Sequence, residues 1–558
     1  MATLPSDRSK LALAQSNQVP SQVASSTRNI SAMTEAYDTI DALYAFTTGL
    51  IGSSTLSRLG VINVMDYNAS GSANTYTGTI ASGSRTLTLT TSSHDFVQGQ
   101  GISIPSAGAA GATLVTTVSG VSGATVTVAD AASTAATAVT CRHDDTVSLR
   151  TAITNAAVTG AKVIVPPGDY YFSSNPIPVD TNVFIEGSNG TGSSGRGTKF
   201  HATSLTDDVL RIEAVAQSIQ GIIIRDIMIV GNKSAGSSGS GIKIVANTTG
   251  KTISAIIMNN VQINDCKEHG LYMTATSFIF EGTFTNLRTS GNGKCGVFGE
   301  NNVQQLTFID NQNLSSGREN LVFVGDTVNG YQPSEIVLIR TVLDTAGNTY
   351  YGARFTYCEK VSIYDVHTES QTTGQILLES CDSIDLKNGG IRQTGTSEGI
   401  VITGISGKVT NSIKIDSPGW TTTSTKKRVT VLLPTDSNFI NLEFGFHADG
   451  FFTPTDITGY ASIAMNPDNT IFFVKNPVYT TTYDPPSIAA GAAAFKSINV
   501  DRASLGSIVT ASFNKNTLGV IIVPYVQSAG VVNVAFFNPT ASAIDLPSGT
   551  LTVSLLLR

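Results

Sequence analysis

A short apolar run returns seven times between residues 241 and 419: GIKI at Gly241, GLYM at Gly270, GVFG at Gly296, NLVF at Asn320, GARF at Gly352, QILL at Gln375 and GIVI at Gly399. The spacings are 29, 26, 24, 32, 23 and 24 residues. Most units hold a second run: AIIM at Ala255, SFIF at Ser277, LTFI at Leu306, IVLI at Ile336, VSIY at Val361 and SIDL at Ser383. A self-similar period of this length marks a solenoid, because so short a unit cannot bury its own apolar face and must stack on its neighbours. The runs are β-branched, and Gly, Asn, Asp, Ser and Thr separate them with no helical period. That pattern predicts strands joined by turns. The LxxLxLxxN register of a leucine-rich repeat is missing. The expected fold is all-β, a parallel β-helix whose coils lie about 4.8 Å apart, the strand spacing.

The chain has 558 residues, more than one compact core holds, but a solenoid grows lengthwise and escapes that limit. Only 13% of residues are charged and the net charge is −7, which gives a nucleic acid no electrostatic footprint and leaves a glycan open as partner. The five cysteines, at 141, 266, 295, 358 and 381, show no CxxC or Cys/His metal spacing, so buried free thiols and no metal or cofactor are expected. Cys358 and Cys381 stand one period apart, which places them on adjacent coils. No apolar run reaches 18 residues, so no membrane insertion is expected. The N-terminus lacks the apolar stretch of a signal peptide.

Four regions follow. Residues 1–60 hold a polar, Ser/Gln-rich arm, a short helical stripe at Met33, Tyr37, Ile40 and Tyr44, and a linker. Residues 61–142 open with VINVMDYNASG and continue as a small all-β insert of alternating Thr/Val/Leu strands, in which His94 and Asp95 read as a solvated turn. Residues 143–419 are the capped solenoid. Its cap is a helix started by Asp144 or Asp145, buried through Leu149, Ala152, Ile153 and Ala156, and ended by Gly160. The glycine-rich stretch at Gly187 lacks a GK[ST] ending and reads as a flexible loop. Residues 420–558, after Trp420, lose the period and read as antiparallel strands with a break near residues 477–486.

VINVMDYNASG, then HDDTVSLRTAITNA at His143, then VIVPPGDYYF at Val163, resembles the opening of the pectate-lyase-like, right-handed parallel β-helix family found in bacteriophage tailspikes. Asn68 stands where the family usually has Gly, and the insert separates the first two motifs. The resemblance implies that the helix plugs the N-terminal end of the solenoid. It also implies that the C-terminal β-sandwich drives trimerisation or binds glycan. The family contains lyases, hydrolases, epimerases and non-catalytic binders, so the motifs speak to architecture more than to chemistry.

Aligning coils on their second strand puts Phe308, Leu338, Ile363 and Leu386 in one inward column. Two residues on come Asp310, Arg340, Asp365 and Asn388, then Gln312, Val342, His367 and Gly390, then Leu314, Asp344, Glu369 and Arg392. If the segment from Asp365 to Glu369 is extended, its Asp, His and Glu share one face. Glycoside hydrolysis needs two carboxyls, which Asp365, Glu369 and Asp310 could supply as catalytic residues. A lyase would use Arg340 or Arg392 to neutralise a uronate, and His367 or a Lys as base. Alternating Asp and Arg on neighbouring coils is equally a structural ion-pair ladder or a glycan-binding face. Tyr331, Tyr350, Tyr351, Tyr357 and Tyr364 fall nearby and could stack on sugar rings. The substrate-binding set is thus His367, Arg340, Arg392, Tyr364 and Tyr351. A second cluster, Asp265, Lys267, Glu268 and His269, reads as a solvated turn, with Arg318 and Glu319 in the equivalent turn two coils on.

The expectation is a homotrimeric phage tailspike, joined to the phage tail or baseplate through residues 1–60. It recognises and depolymerises a host bacterial polysaccharide at the cell surface. The rival readings are a non-enzymatic trimeric adhesin of the same fold and a secreted bacterial pectinase-like enzyme.

Overall fold

The computed structural model describes residues 60–188, 197–203, 206–344, 350–393 and 396–556, with further gaps between 406 and 477 and at 501–502. The N-terminal arm and helical stripe, most of the loop after Gly187 and the start of the break at 477 lie outside the described residues.

The body is a parallel β-solenoid of about nine turns. Each full turn lays down three strands. The first face carries rungs such as Leu210–Glu213, Ile242–Val245, Leu321–Val324 and Tyr351–Thr356. The second carries Ser334–Ile339, Glu359–Tyr364 and Asp382–Lys387. The third carries Gln312–Leu314, Val342–Asp344 and His367–Glu369. Register follows the alternation of apolar and polar residues. Phe308 pairs with Leu338, Leu338 with Ile363 and Ile363 with Leu386, and all four are buried, as the coil alignment expects. Inside, Phe284 stacks on Phe308 at 4.5 Å with planes 10° apart, and Phe323 on Phe355 at 6.1 Å. The five cysteines are buried free thiols, and the Cys358 and Cys381 Sγ atoms donate to the carbonyls of Phe323 and Phe355, 3.3 and 3.2 Å away.

The glycines that open the apolar runs have one cause. At each, the chain turns onto the first face against the next coil. A Cβ on Gly241, Gly270, Gly296 or Gly352 would lie 2.8, 2.6, 2.6 or 2.9 Å from the carbonyl oxygen of Gly270, Gly296, Asn320 or Gln375. At these four positions a side chain would meet the backbone of the next coil, whereas Asn320 and Gln375 stand in the same column with their side chains buried.

The chain enters with Val61–Asn63, the first rung, which pairs with Lys162–Ile164. Between these strands come a closed antiparallel barrel and the lid helix, Thr146–Thr159. Leu149, Ala152, Ile153 and Ala156 share one core with Ile62, Val163 and Ile185, so the helix covers the apolar end of the solenoid. Gly160 ends it in the left-handed region at φ 66. Asp144 Oδ1 accepts from the Thr146 N–H at 3.1 Å. Asp145 makes no cap bond; its oxygens accept from the Ser70 and Tyr171 N–H groups at 2.6 and 3.2 Å and tie lid to rungs.

The barrel runs Thr75–Ile80, Thr86–Leu89, Gly101–Ile104, Leu114–Ser122, Thr125–Val128 and Ala136–His143 around its own core. The expected solvated turn at Asp95 is instead a tie. Its carboxylate accepts from Ser72 Oγ at 2.5 Å and Asn74 Nδ2 at 2.7 Å, and lies 2.9 Å from Nε2 of the fully buried His143. Partial burial opposes the charge, but the bonds from Ser72, His143 and Asn74 outweigh it and hold the Asp95 carboxyl well below its ordinary value. The unfolded chain therefore takes up this proton first as pH falls. The stabilisation is full above the ordinary aspartate value of about 3.9 and is lost below it. The melting-temperature gap between wild type and Asp95→Asn is expected to hold from pH 6 to about pH 5 and to shrink steadily as pH falls through and below the ordinary aspartate value of about 3.9. A constant gap would rule the tie out as a source of stability.

The parallel ladder does not stop at 419. Gly419–Thr422 pairs with Gly390–Gln393, Val429–Leu432 with Glu398–Thr403, and Leu442–Phe444 with Asn411–Asp416. Val429 stands 29 residues after its rung partner Ile400, within the range of the earlier spacings. Beyond the ladder, two three-stranded antiparallel sheets share a core: Val478–Tyr483, Gly549–Leu556 and Ile508–Phe513, and Ala493–Asn499, Val531–Phe537 and Ile521–Ser528.

Candidate functional site

Seven residues stack at the corner between the second and third faces: Asp226, Asn260, Asn286, Asp310, Arg340, Asp365 and Asn388. All have φ between 49 and 56. This left-handed turn favours Asp and Asn among non-glycine residues. Their side chains also bond along the axis. Asn260 donates to Asp226 at 2.5 Å, Asn286 to Asn260 at 2.9 Å, and Arg340 grips Asp310 through two nitrogens at 2.6 and 2.9 Å. Corner geometry therefore accounts for Asp310 and Asp365 without invoking chemistry.

The turn also changes the expected common face. Asp365 sits at the corner, φ 53, and only His367 and Glu369 belong to the extended strand. The left-handed residue interrupts the two-residue alternation. Glu369 accepts from Arg392 Nη1 at 2.8 Å and lies 3.5 Å from His367 Nε2. The Arg392 bond, aided by His367, holds its carboxyl below the ordinary value. Tyr364 donates to Asp385 at 3.3 Å, whereas Tyr351 stands on the first face. The structure thus joins Asp310 to Arg340, and Glu369 to His367 and Arg392, and leaves Tyr351 elsewhere.

A denser arrangement lies at the corner leading into the first face. Backbone bonds stack Gly239, Glu268, Lys294 and Arg318 there, with Lys294 Nζ 2.7 Å from Glu268 Oε1. Beside them run Arg211, Lys243, Tyr272 and Phe298, in register on the outward side of the first face. Lys243 stands 4.8 Å over the Tyr272 ring, and Tyr272 donates to Glu300 at 2.6 Å. This cluster is not the solvated turn that its composition suggests. His269 is only 6% exposed, stacks on Phe298 at 4.7 Å, and accepts from the Cys295 N–H through Nδ1 at 3.3 Å. Burial, then the cations Lys294 and Arg318, push its pKa down to about 3, so the ring is neutral. Glu319, 2% exposed, lies between Arg318 at 3.5 Å and Arg354 at 3.9 Å.

At the lid end of this strip a groove of about 690 Å³ is lined by Arg150, Asp208, Arg211, Lys243 and Glu268 among others. Asp208 Oδ1 accepts from the Ser240 N–H at 2.8 Å, and Arg211 is 3.9 Å from Oδ2. Burial raises the Asp208 pKa above its ordinary value, and the negative Glu268 adds to this against the opposing Ser240 bond and the nearby Lys243 and Arg211. A carboxyl whose pKa is raised by burial therefore shares a groove with an ion-paired carboxylate, and such a difference between two carboxyl environments is what divides acid from base. Asp208 lies outside the periodic stretch, and nothing local marks it. Among the described residues, no group of three or more His, Cys, Asp and Glu is arranged to hold a metal.

No family model and no curated protein matches the chain. Among solved structures it is similar to the A-module of mannuronan C-5 epimerase from Azotobacter vinelandii, at 15% identity over 54% of this chain and 90% of that one, with a TM-score of 0.44. It is also similar to the ORF18 protein of Geobacillus virus E2, at 14% identity over 89% and 77% of the two chains, TM-score 0.41. A third is the enzymatically active domain of tailspike protein 2 of bacteriophage CBA120, at 13% identity over 91% and 82%, TM-score 0.38.

Proposed function

We propose that this chain is a phage tailspike that binds and hydrolyses a polysaccharide on the surface of its bacterial host. It would work as a homotrimer, attached to the phage tail through residues 1–60. The fold suits the task, because a solenoid presents polar rungs along one axis to a polymer lying on it. The observation that carries the chemical part is the groove in which the desolvated Asp208 shares space with the Lys294-paired Glu268. In this reading Asp208 donates its proton to the glycosidic oxygen as the bond from that oxygen to the anomeric carbon breaks, and Glu268 either takes a proton from the water that attacks this carbon or attacks it directly, with water then releasing the sugar. Lys243, Arg211 and Tyr272 hold the saccharide.

The surface with Asp310, Arg340, Asp365, His367, Glu369 and Arg392 is assigned to glycan contact. Asp365→Ala with Glu369→Ala is expected to weaken polysaccharide binding severalfold and to leave the cleavage rate at saturation within about threefold. Loss of cleavage at saturation would instead move the chemistry to that ladder. The non-enzymatic adhesin is favoured by one observation: Asp310 and Glu369 are both already paired with arginine.

One experiment separates these readings. The full chain is incubated with purified capsule, O-antigen or exopolysaccharide from candidate hosts. New reducing ends without ultraviolet-absorbing product support hydrolysis. An unsaturated, ultraviolet-absorbing product means a lyase. Binding without any product means an adhesin.

A further inference from the structure

The small barrel and the first rungs of the solenoid enclose a second cleft, of about 590 Å³. That lies within the range of small-ligand sites, ~300–1,000 Å³. Ser103, Thr113, Thr140 and Arg142 of the barrel form one wall, and Ser173, Thr203 and Asn232 of the solenoid form the other. Among the described residues of the lining, Arg142 alone is charged, and no carboxylate stands beside it. Its place is fixed from two sides. Backbone pairing with Thr75 and Ser103 holds Arg142 in the barrel. Its guanidinium lies 4.6 Å from the centre of the Tyr171 ring, and Tyr171 in turn stacks on His201 at 4.6 Å with planes 16° apart. Tyr171 and His201 are register neighbours on the rungs Gly168–Phe172 and Thr198–Ala202.

The ring face attracts the cation but supplies no oxygen to its N–H donors. Asp169, the carboxylate of the adjoining rung, is engaged elsewhere: it lies 2.7 Å from His201 Nε2 and 3.7 Å from Lys199 Nζ. A half-buried guanidinium without a carboxylate partner among the described residues, in a chain of net charge −7, is built to receive an anion. The planar fork of arginine matches a carboxylate through two parallel hydrogen bonds. The hydroxyls of the two walls suit the sugar ring that would carry it. The cleft also continues into the groove assigned to hydrolysis. Ser173, Thr203 and Asn232 line the cleft, and Ser174, Thr206 and Ser238, further along the same three segments, line the groove. A polymer whose scissile bond lies at Asp208 therefore has its neighbouring units running past Arg142.

We infer that the cleft between barrel and solenoid is a subsite for a carboxylate-bearing sugar, with Arg142 gripping the carboxylate. The inference rests on the proposed polysaccharide function and names the class of polymer, an acidic one. The full chain is titrated with D-glucuronate, glucose and glucose 6-phosphate, and binding is read by ligand-observed NMR. Glucuronate is expected to bind at least about tenfold more tightly than glucose, the effect of charge-assisted paired hydrogen bonds. Arg142→Met keeps an unbranched stem against Tyr171 and is expected to abolish that preference. Thr140→Trp, at an exposed position on the barrel wall, fills the cleft while keeping Arg142, and is expected to weaken glucuronate binding by a similar factor. It keeps the test decisive if Arg142→Met does not fold. Lys243→Met, which removes a cation of the hydrolytic groove, is expected to retain the preference. Equal binding of glucose and glucuronate would overturn the subsite, as would a preference that survives Arg142→Met and Thr140→Trp or is lost in Lys243→Met instead. Displacement of glucuronate by a lower concentration of glucose 6-phosphate would overturn the carboxylate assignment. Glucuronate binding that depends on Arg142, in a chain that cleaves no host polysaccharide, would overturn the hydrolytic reading and leave the subsite standing.

Discussion

Replacing Phe308 with Ala is expected to destabilise the solenoid by about 3–5 kcal/mol, the range for removing a fully buried aromatic. Phe308 is 0% exposed and stacks on Phe284 in the coil before, with Phe323 at 6.0 Å. Parallel ladders on both sides fix its strand, so neighbouring coils cannot collapse into the space vacated. The residual cavity adds to the lost transfer energy. Val337→Ala, half-buried on the outward side of the next rung, is the control and is expected to cost under about 1 kcal/mol. Stability is tested by the urea midpoint, with hydrogen exchange to locate the loss, since a solenoid can open locally around one rung. Equal costs for the two variants would mean that the aromatic column does not carry the core.

This column was legible in the sequence because each coil repeats its own physics. Apolar alternation sets the inward side, left-handed Asp or Asn marks one corner, and glycine marks the turn where the next coil leaves no room for a Cβ. Those local causes gave the register from Phe308 to Leu386 residue by residue. The same corner rule gives Asp310 and Asp365 a second cause: they stand where a left-handed corner favours that residue type, so their identity alone does not mark chemistry. The solenoid's continuation was hidden because the polar residues 423–428 separate VTVL at Val429 from the preceding rung. Asp95 and His143 are 48 residues apart and meet only through barrel closure, which no local pattern encodes. The groove escaped for a related reason. Asp208 precedes the recognised repeat, and its relation to Glu268 depends on the lengths of loops that vary from coil to coil.

The groove therefore needs the sharpest test. Asp208→Asn and Glu268→Gln are close to isosteric and are each expected to lower polysaccharide cleavage by about 10²–10⁴-fold, the usual contribution of a positioned acid or base. Affinity for the intact polymer should stay within a few-fold, because Arg211, Lys243 and Tyr272 remain. The pH dependence separates the two roles. An acid must hold its proton to act, and burial raises the Asp208 pKa, so wild-type activity should persist above the ordinary aspartate range and fall only as pH rises through the elevated folded value. Asp208→Asn should lose that alkaline limb along with the rate, whereas the residual activity of Glu268→Gln should retain it. Unfolding curves matching wild type would establish that either loss is chemical. Cleavage unchanged in both variants would remove hydrolysis from this groove, and an unsaturated product would replace the carboxyl pair with proton abstraction beside a uronate.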